Sequence, residues 1–141
     1  MICFAKLADF DSIFVLIHQL WPKAQFSKNK TQQIYANLLQ RKDTISIVFK
    51  MQNKVVGFAY VELRDDFHVQ GKVGHLGVLI VDKEIRSKGI GTKLLQQIIK
   101  LCKKAKCKKL KFTSNFKRKS AHRFYESLGF QKAHYLFWKD F

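Results

Sequence analysis

The sequence predicts an α+β fold (mixed α/β): one twisted, mostly antiparallel sheet flanked by helices. Three observations carry that prediction. Two helical patterns open the chain. Three strand-like segments follow with no helix between the first two. A single strand–helix–strand crossover comes next, which is the connection parallel strands require.

Each element has its own signal. From Asp11 to Leu20 the residues Ile13, Phe14, Leu16, Ile17 and Leu20 recur at helical spacing, with Asp9 or Asp11 as the N-cap. Trp21-Pro22 ends that helix. Thr31 to Leu39 reads as a second helix with Ile34, Leu38 and Leu39 inward. "TISIVFK", Thr44 to Lys50, is β-branched, "QNK" is a turn, and "VVGFAYVEL", Val55 to Leu63, closes a hairpin. "VGHLGVLIVD", Val73 to Asp82, is apolar on both faces and so belongs inside the sheet. A helix from Gly91 to about Ala105 places Leu94, Ile98, Leu101, Cys102 and Ala105 on one stripe. "KKLKFTS", Lys108 to Ser114, is the next strand. Ser120 to Leu128 is a short helix, and Gly129 suits its left-handed cap. "AHYLFWKDF", Ala133 to Phe141, reads as a terminal strand.

The 141 residues suit a single domain, 1–141. Apolar residues make up 47% and aromatics 13%, enough for a real core. No apolar run approaches the roughly 20 residues of a membrane span. The first residues lack a basic leader and carry Asp9 and Asp11, so no signal peptide is expected. Cys3, Cys102 and Cys107 are odd in number and lack zinc-type spacing. Reduced thiols and a cytoplasmic location follow as expectations. Lys and Arg total 27 against 10 Asp and Glu, a net charge of +17. That charge attracts anions: a phosphorylated cofactor, RNA or an acidic surface. Simple solvation accounts equally well for most of the lysines taken one by one.

The most informative stretch is "IRSKGIGTKLL", Ile85 to Leu95. Two glycines and two cations precede a helix start, where free N–H groups and the positive end of the helix dipole attract an anion. The spacing excludes a P-loop, which needs G-x-x-x-x-G-K-[ST]. It also excludes a dinucleotide fingerprint, because Leu94 stands where the third glycine belongs. A purely structural strand-to-helix turn remains the plain alternative.

One helix further on comes "FTSNFKRKSAHRFYESLGF". Together the two segments resemble the GCN5-related N-acetyltransferases. Arg86, Gly89 and Gly91 match that family's R/Q-x-x-G-x-G/A motif for acetyl-CoA. Asn115, Ala121, Tyr125, Gly129 and Phe130 match its next motif. The resemblance covers about the whole chain, and two motifs in order are far more specific than either alone. The tail is most similar to that of bacterial aminoalkylphosphonate N-acetyltransferases. Lys83 departs from a common proline, and residues 1–70 carry no recognised acceptor motif.

The resemblance implies a GNAT-like fold with splayed central strands and acetyl transfer from acetyl-CoA to a primary amine in a ternary complex. It implies that Arg86, Ser87, Lys88, Gly89, Ile90, Gly91 and Thr92 surround the pyrophosphate. The backbone of Leu79, Ile80 and Val81 would pair with the pantetheine amides, with Asn115 opposite. Gly77 would permit a bulge there. Tyr125 holds the family's general-acid position, against a plain reading as a packed helix tyrosine. The attacking amine must lose a proton, and Glu62 and His75 are the candidate bases. His122, one turn before Tyr125, is a candidate to orient it. Each of the three has a structural alternative as a surface or core residue. No metal-ligand spacing is evident, and His68, Glu62 and Asp66 remain only a weak candidate set. The expected partners are a small-molecule amine, with an aminoalkylphosphonate first, then RNA and a second copy of the chain. A toxin-like enzyme acting on aminoacyl-tRNA and a non-catalytic basic nucleic-acid module are the competing readings.

Overall fold

A two-residue turn sets the centre of the sheet. Gln52 and Asn53 both take left-handed backbone angles, φ 48° and 63°, as a tight type I′ hairpin requires. The computed structural model, which describes residues 1–141, places that turn between β2 (Thr44–Met51) and β3 (Lys54–Asp66). The strands pair antiparallel from Thr44 opposite Glu62 to Met51 opposite Lys54. β3 then pairs antiparallel with β4 (Gly71–Val81). A short strand β1 (Ile2–Phe4) lies on the outer edge of β2. β5 (Lys109–Lys111) runs parallel to β4 and closes the order β1-β2-β3-β4-β5. The mixed, mostly antiparallel sheet and the single parallel crossover are as the sequence predicts.

By contact density the chain forms two compact units, Met1–Lys111 and Phe112–Phe141. The first holds the sheet with a core on each face. One face carries α1 (Phe10–Leu20) and α2 (Lys28–Gln40). Phe10, Ile13, Leu16 and Tyr35 pack there with Val48, Phe58, Tyr60 and Ile80. The other face carries α3 (Ile90–Lys104), whose Ile90, Leu94, Ile98 and Cys102 meet Ile47, Val56, Ala59 and Val61. Leu94, Leu95 and Ile98 are fully buried. Each such side chain contributes roughly 1.5–3 kcal/mol relative to exposure. That stripe is the physical reason α3 lies along the sheet.

Helix ends follow their local chemistry. Ser27 caps α2 by accepting the Lys30 N–H at 3.3 Å. Asp9 caps α1 without a side-chain bond to that helix. Its carboxylate instead accepts the Lys6 N–H and pairs with Lys50 at 2.7 Å. α3 ends in a Schellman motif, with Cys107 N–H on the Cys102 carbonyl and Lys106 left-handed at φ 64°. Lys103 and Lys104 sit in its last turn, the favourable end of the dipole for cations. No helix is long and apolar enough to cross a membrane.

The second unit is small. α4 (Lys119–Ser127) also ends in a Schellman motif. Phe130 N–H reaches the Tyr125 carbonyl, and Gly129 is left-handed at φ 87°. Phe112, Tyr125 and Phe130 form its aromatic cluster, with ring centroids 4.5 and 5.1 Å from Phe112.

Three sequence expectations are corrected. Ile34 does not face inward: it is 59% exposed, and Tyr35 is the buried residue of α2. Its hydroxyl donates to the Lys6 carbonyl at 2.7 Å, so a polar tip and an aromatic body together outcompete the isoleucine. β5 is only three residues long, and the rest of Lys108–Ser114 is not in a ladder. Ala133–Phe141 forms no strand. Its β-rich composition fits a pleated surface, but a strand exists only where a neighbour supplies its hydrogen bonds. β1 carries no helix or turn signal and is short; pairing with β2 makes it a strand.

Candidate active site

β4 and α3 converge on one turn. After Val81, the Asp82 carboxylate accepts the Glu84 N–H at 3.1 Å and caps a single 3₁₀ turn, Lys83–Ile85. The chain then reverses through Arg86–Gly89. Ser87 and Gly89 are both left-handed, φ 68° and 73°. Glycine adopts this freely, whereas serine does so at about 1–2 kcal/mol. The first backbone bond of α3 is Lys93 N–H to the Gly89 carbonyl at 3.0 Å. No backbone N–H from Ser87 to Thr92 is donated elsewhere in the chain. The side chain of Ile90 is buried beneath the turn. An added Cβ on Gly89 would meet nothing within 4 Å. Gly89 therefore serves backbone conformation and the space before the N–H groups, rather than packing. Arg86 Nε donates to the Val81 carbonyl at 3.2 Å and ties the turn to the strand end. Lys88 is exposed and in no ion pair.

β4 has an open edge just before this turn. β5 pairs only with Val73, Gly74 and His75. From Leu76 to Val81 the β5 side of β4 has no strand partner. Leu79, Ile80 and Val81 lie on this stretch. The register against β3 shifts here: Tyr60 opposes Val78, and Val61 opposes Leu76. Gly77 is the extra residue of a bulge. A Cβ on Gly77 would lie 2.8 Å from the Tyr60 ring, so the ring occupies the space a side chain would need. The bulge also resets the alternation of β4. Ile80 and Val78 pack on the α1–α2 face, as does Tyr60. Glu62, two residues beyond Tyr60, pairs in register with His75.

Glu62 and His75 are thus brought together, in a charged setting. Arg41 and Arg64 each reach the Glu62 carboxylate at 3.5 Å, and Arg41 also makes a two-pronged bond to Asp43 at 2.9 Å. The Tyr60 hydroxyl is buried and falls short of a closed hydrogen bond. Its proximity is still the first cause that holds the Glu62 carboxyl below its usual range, ahead of the two arginines, with burial opposing. Burial raises the Tyr60 phenol, and Glu62 adds to that. His75 is held below the usual histidine value, first by burial and then by the charges of Arg64 and Lys111; Asp66 and Glu62 oppose. Lys111 pairs with Asp66 at 3.4 Å. Asp66 also accepts the Val69 N–H at 2.8 Å, the first cause of its lowered pKa. No three His, Cys, Asp or Glu side chains are placed to hold a metal, so His68, Glu62 and Asp66 do not form a metal set.

In the second unit Asn115 is exposed and caps the approach to α4: its Oδ1 accepts the Lys117 N–H at 2.9 Å. Burial raises the Tyr125 phenol, and Arg118 opposes. His122 lies one turn before Tyr125 on α4. Sequence reasoning missed Tyr60, Arg41 and Arg64. Tyr60 and Arg64 stand two residues either side of Glu62, so strand alternation could have found them. Arg41 reaches the cluster through tertiary structure alone.

Comparison with known proteins identifies the family. The model of the acetyltransferase (GNAT) family matches residues 10–130. The aminoalkylphosphonate N-acetyltransferase of Salmonella typhimurium is 27% identical over 135 residues, covering 96% of this chain and 87% of that protein. A Trypanosoma brucei acetyltransferase structure has a TM-score of 0.83 at 25% identity, covering 100% of this chain and 99% of that one. A Bacillus halodurans structure described as a transcriptional regulator reaches a TM-score of 0.92 at 22% identity, over 100% and 99% of the two chains, and shares the fold. With the family model spanning most of the chain, over a turn of free N–H groups and a bulged, open strand edge, the protein belongs to the GNAT family and is an acetyl-CoA-dependent N-acetyltransferase.

Proposed function

We propose that this enzyme acetylates the primary amine of a small anionic molecule, with an aminoalkylphosphonate as the leading acceptor. The observation that carries the acceptor class is the pairing of Glu62 and Asp66 with cations, which leaves Asp65 as the one unpaired carboxylate of the Glu62, Asp65 and Asp66 cluster. Glu62 is flanked by Arg41 and Arg64, and Asp66 by Lys111. A cationic acceptor such as a polyamine would have to displace those partners. Arg64 makes one ion pair, to Glu62 at 3.5 Å, and no other side-chain hydrogen bond, so further donors of its planar group are available to a phosphonate-like group. Lys117 and Arg118 are exposed and in no ion pair, and are further candidates for that group. Similarity to the Salmonella enzyme along nearly the whole chain supports the same class.

The free N–H groups of Ser87–Thr92, with Arg86 and Lys88, bind the pyrophosphate of acetyl-CoA. The open edge at Leu79–Val81 pairs with the pantetheine amides as a strand would. Asn115 is assigned to the same arm by its motif position. The acceptor nitrogen then attacks the thioester carbon, the C–S bond breaks and the thiolate leaves. His75 takes the amine proton, because its lowered pKa keeps the ring neutral at pH 7. Glu62, still more firmly ionised, orients the amine and is the weaker base. Tyr125 gives its proton to the departing thiolate, and burial keeps that phenol protonated until then. Direct attack is favoured over transfer through the core cysteine Cys102, since burial pushes that thiol up to about 12. The family match runs through residue 111, where the two units meet in sequence. We therefore take residues 1–141 to act as one N-acetyltransferase domain.

Four outcomes test this reading. Acetyl-CoA at about 100 times its dissociation constant stabilises the fold by roughly 2.7 kcal/mol in thermal melts. Gly89→Val removes the shift because its side chain fills the space before the N–H groups; a retained shift would move the cofactor elsewhere.

Tyr125→Phe keeps the aromatic cluster and lowers kcat by on the order of 10² to 10⁴. The acetyl-CoA melting shift stays unchanged. Full activity in the Phe variant would reassign the acid.

The acid limb of the kcat/KM profile falls below pH 6.5, the ordinary histidine value, and His75→Gln abolishes that limb. Stability shares the sign: a depressed folded pKa contributes fully above 6.5 and is lost as pH falls. An unchanged acid limb in the Gln variant would transfer the base role to Glu62 or water.

Across aminoethylphosphonate, spermidine, an aminoglycoside and a lysine peptide, CoA-release assays give the highest kcat/KM for the phosphonate. Arg64→Gln narrows that preference. A preference for either polycation would overturn the anionic acceptor while leaving acetyl transfer intact.

A further inference from the structure

Between Glu84 and Glu126 the chain has no Asp or Glu and fourteen Lys or Arg. Acetyl-CoA binding at the turn accounts for only Arg86 and Lys88 of these. Most of the others in the first unit lie on the outer surface of α3 and the turn after it. The exposed residues of α3 are Lys93, Gln96, Lys100, Lys103 and Lys104, with Gln97 half-buried. Their spacing of three, four and seven puts them on one helix face. Lys106 and Lys109 extend the row into the turn before β5 and are also exposed. None of these six lysines joins an ion pair.

We propose that this lysine row is a docking surface for double-helical RNA, bound through its phosphate backbone. The charge density fits. Lys93 to Lys104 spans roughly 16 Å of helix, and a duplex carries about one negative charge per 1.7 Å of axis. Beside the row, between α3 and the β1–β2 edge, runs a shallow groove of about 490 Å³, with Lys93, Gln96, Gln97 and Lys100 on its α3 side and Met1, Ile2 and Phe49 on the sheet side. The two amides there supply neutral donors for sugar and phosphate oxygens. The chemistry argues against other partners. A membrane-bound helix carries apolar side chains among the cations of its own outer face, and the exposed residues of α3 are all Lys or Gln. A protein interface is anchored by exposed aromatic or arginine side chains; the exposed face of α3 carries neither, and the one aromatic of the groove, Phe49, is half-buried. Sequence-specific readers of double-helical DNA place a helix in the major groove, whereas α3 lies flat on the sheet along its buried stripe. Duplex RNA is recognised by shape and backbone, which suits flexible point charges on a ridge.

The test is fluorescence anisotropy with a labelled 20-base-pair RNA duplex across a salt series. The full chain binds, and the logarithm of affinity falls with the logarithm of salt at a slope of about −0.9 per phosphate contacted. The triple variant Lys100→Glu/Lys103→Glu/Lys104→Glu reduces that slope by about 3 and weakens binding at least ~10-fold at 100 mM salt. A charge-matched control, Lys23→Glu/Lys30→Glu/Lys54→Glu, binds as the parent does. The triple variant keeps its acetyl-CoA melting shift, so loss of RNA binding is separate from loss of fold or of the cofactor site. Three outcomes overturn the proposal: no RNA binding at 100 mM salt, equal losses in both triple variants, or equal affinity for duplex DNA or anionic lipid vesicles.

Discussion

The arrangement of this enzyme depends on one extra residue in one strand. β4 has to satisfy β3 on one side along its whole length and leave β5 on the other after His75. The bulge at Gly77 marks that parting, and it brings added twist. It also changes which side chains face which layer. Beyond it Val78 and Ile80 join the α1–α2 core, while His75 keeps its place opposite Glu62. Without the bulge the strand would present either its core residues or its histidine to the wrong face. Tyr60 accommodates the bulge from below, with its ring where a Cβ would stand.

Electrostatics divides the molecule in a way that net charge hides. Three acidic side chains near β3 and β4 are paired with cations, Asp43 and Glu62 with arginines and Asp66 with Lys111, while Asp65 is exposed and in no ion pair. Such half-exposed pairs add little stability. Their cations bear on protonation: after Tyr60, Arg64 and Arg41 lower the Glu62 pKa, and after burial, Arg64 and Lys111 lower that of His75. The excess positive charge lies elsewhere, on α3 and beyond. The Glu62–His75 pair and the lysine row of α3 thus belong to different faces of the sheet.

Much of this was legible in the sequence, for identifiable reasons. The hairpin, the crossover and the α3 stripe follow from periodicity, which is local. The glycine turn was legible because few residue types tolerate its backbone, and the structure adds Ser87 as a second left-handed position. Pairing of Glu62 with His75 required only two strands in register. What stayed hidden was tertiary. Tyr35 replaced Ile34 in the core because its hydroxyl found the Lys6 carbonyl, 29 residues away in sequence. Arg41 reached Glu62 across a turn that no pattern announces. Ala133–Phe141 has the composition of a strand, but composition cannot supply a neighbour.

Helix α3 brings three roles together on one short segment, and its geometry keeps them apart. Its inner stripe holds the sheet, its first turn offers N–H groups, and its outer row is solvated. Backbone amides do that first-turn work, so much of it is independent of side-chain identity. A change in the outer row alters neither the stripe nor the amides. Under selection the outer face is therefore free to drift, acquire a partner or lose one, while the catalytic architecture beneath it stays put. Evolution can rewrite what this enzyme is attached to without rewriting what it does.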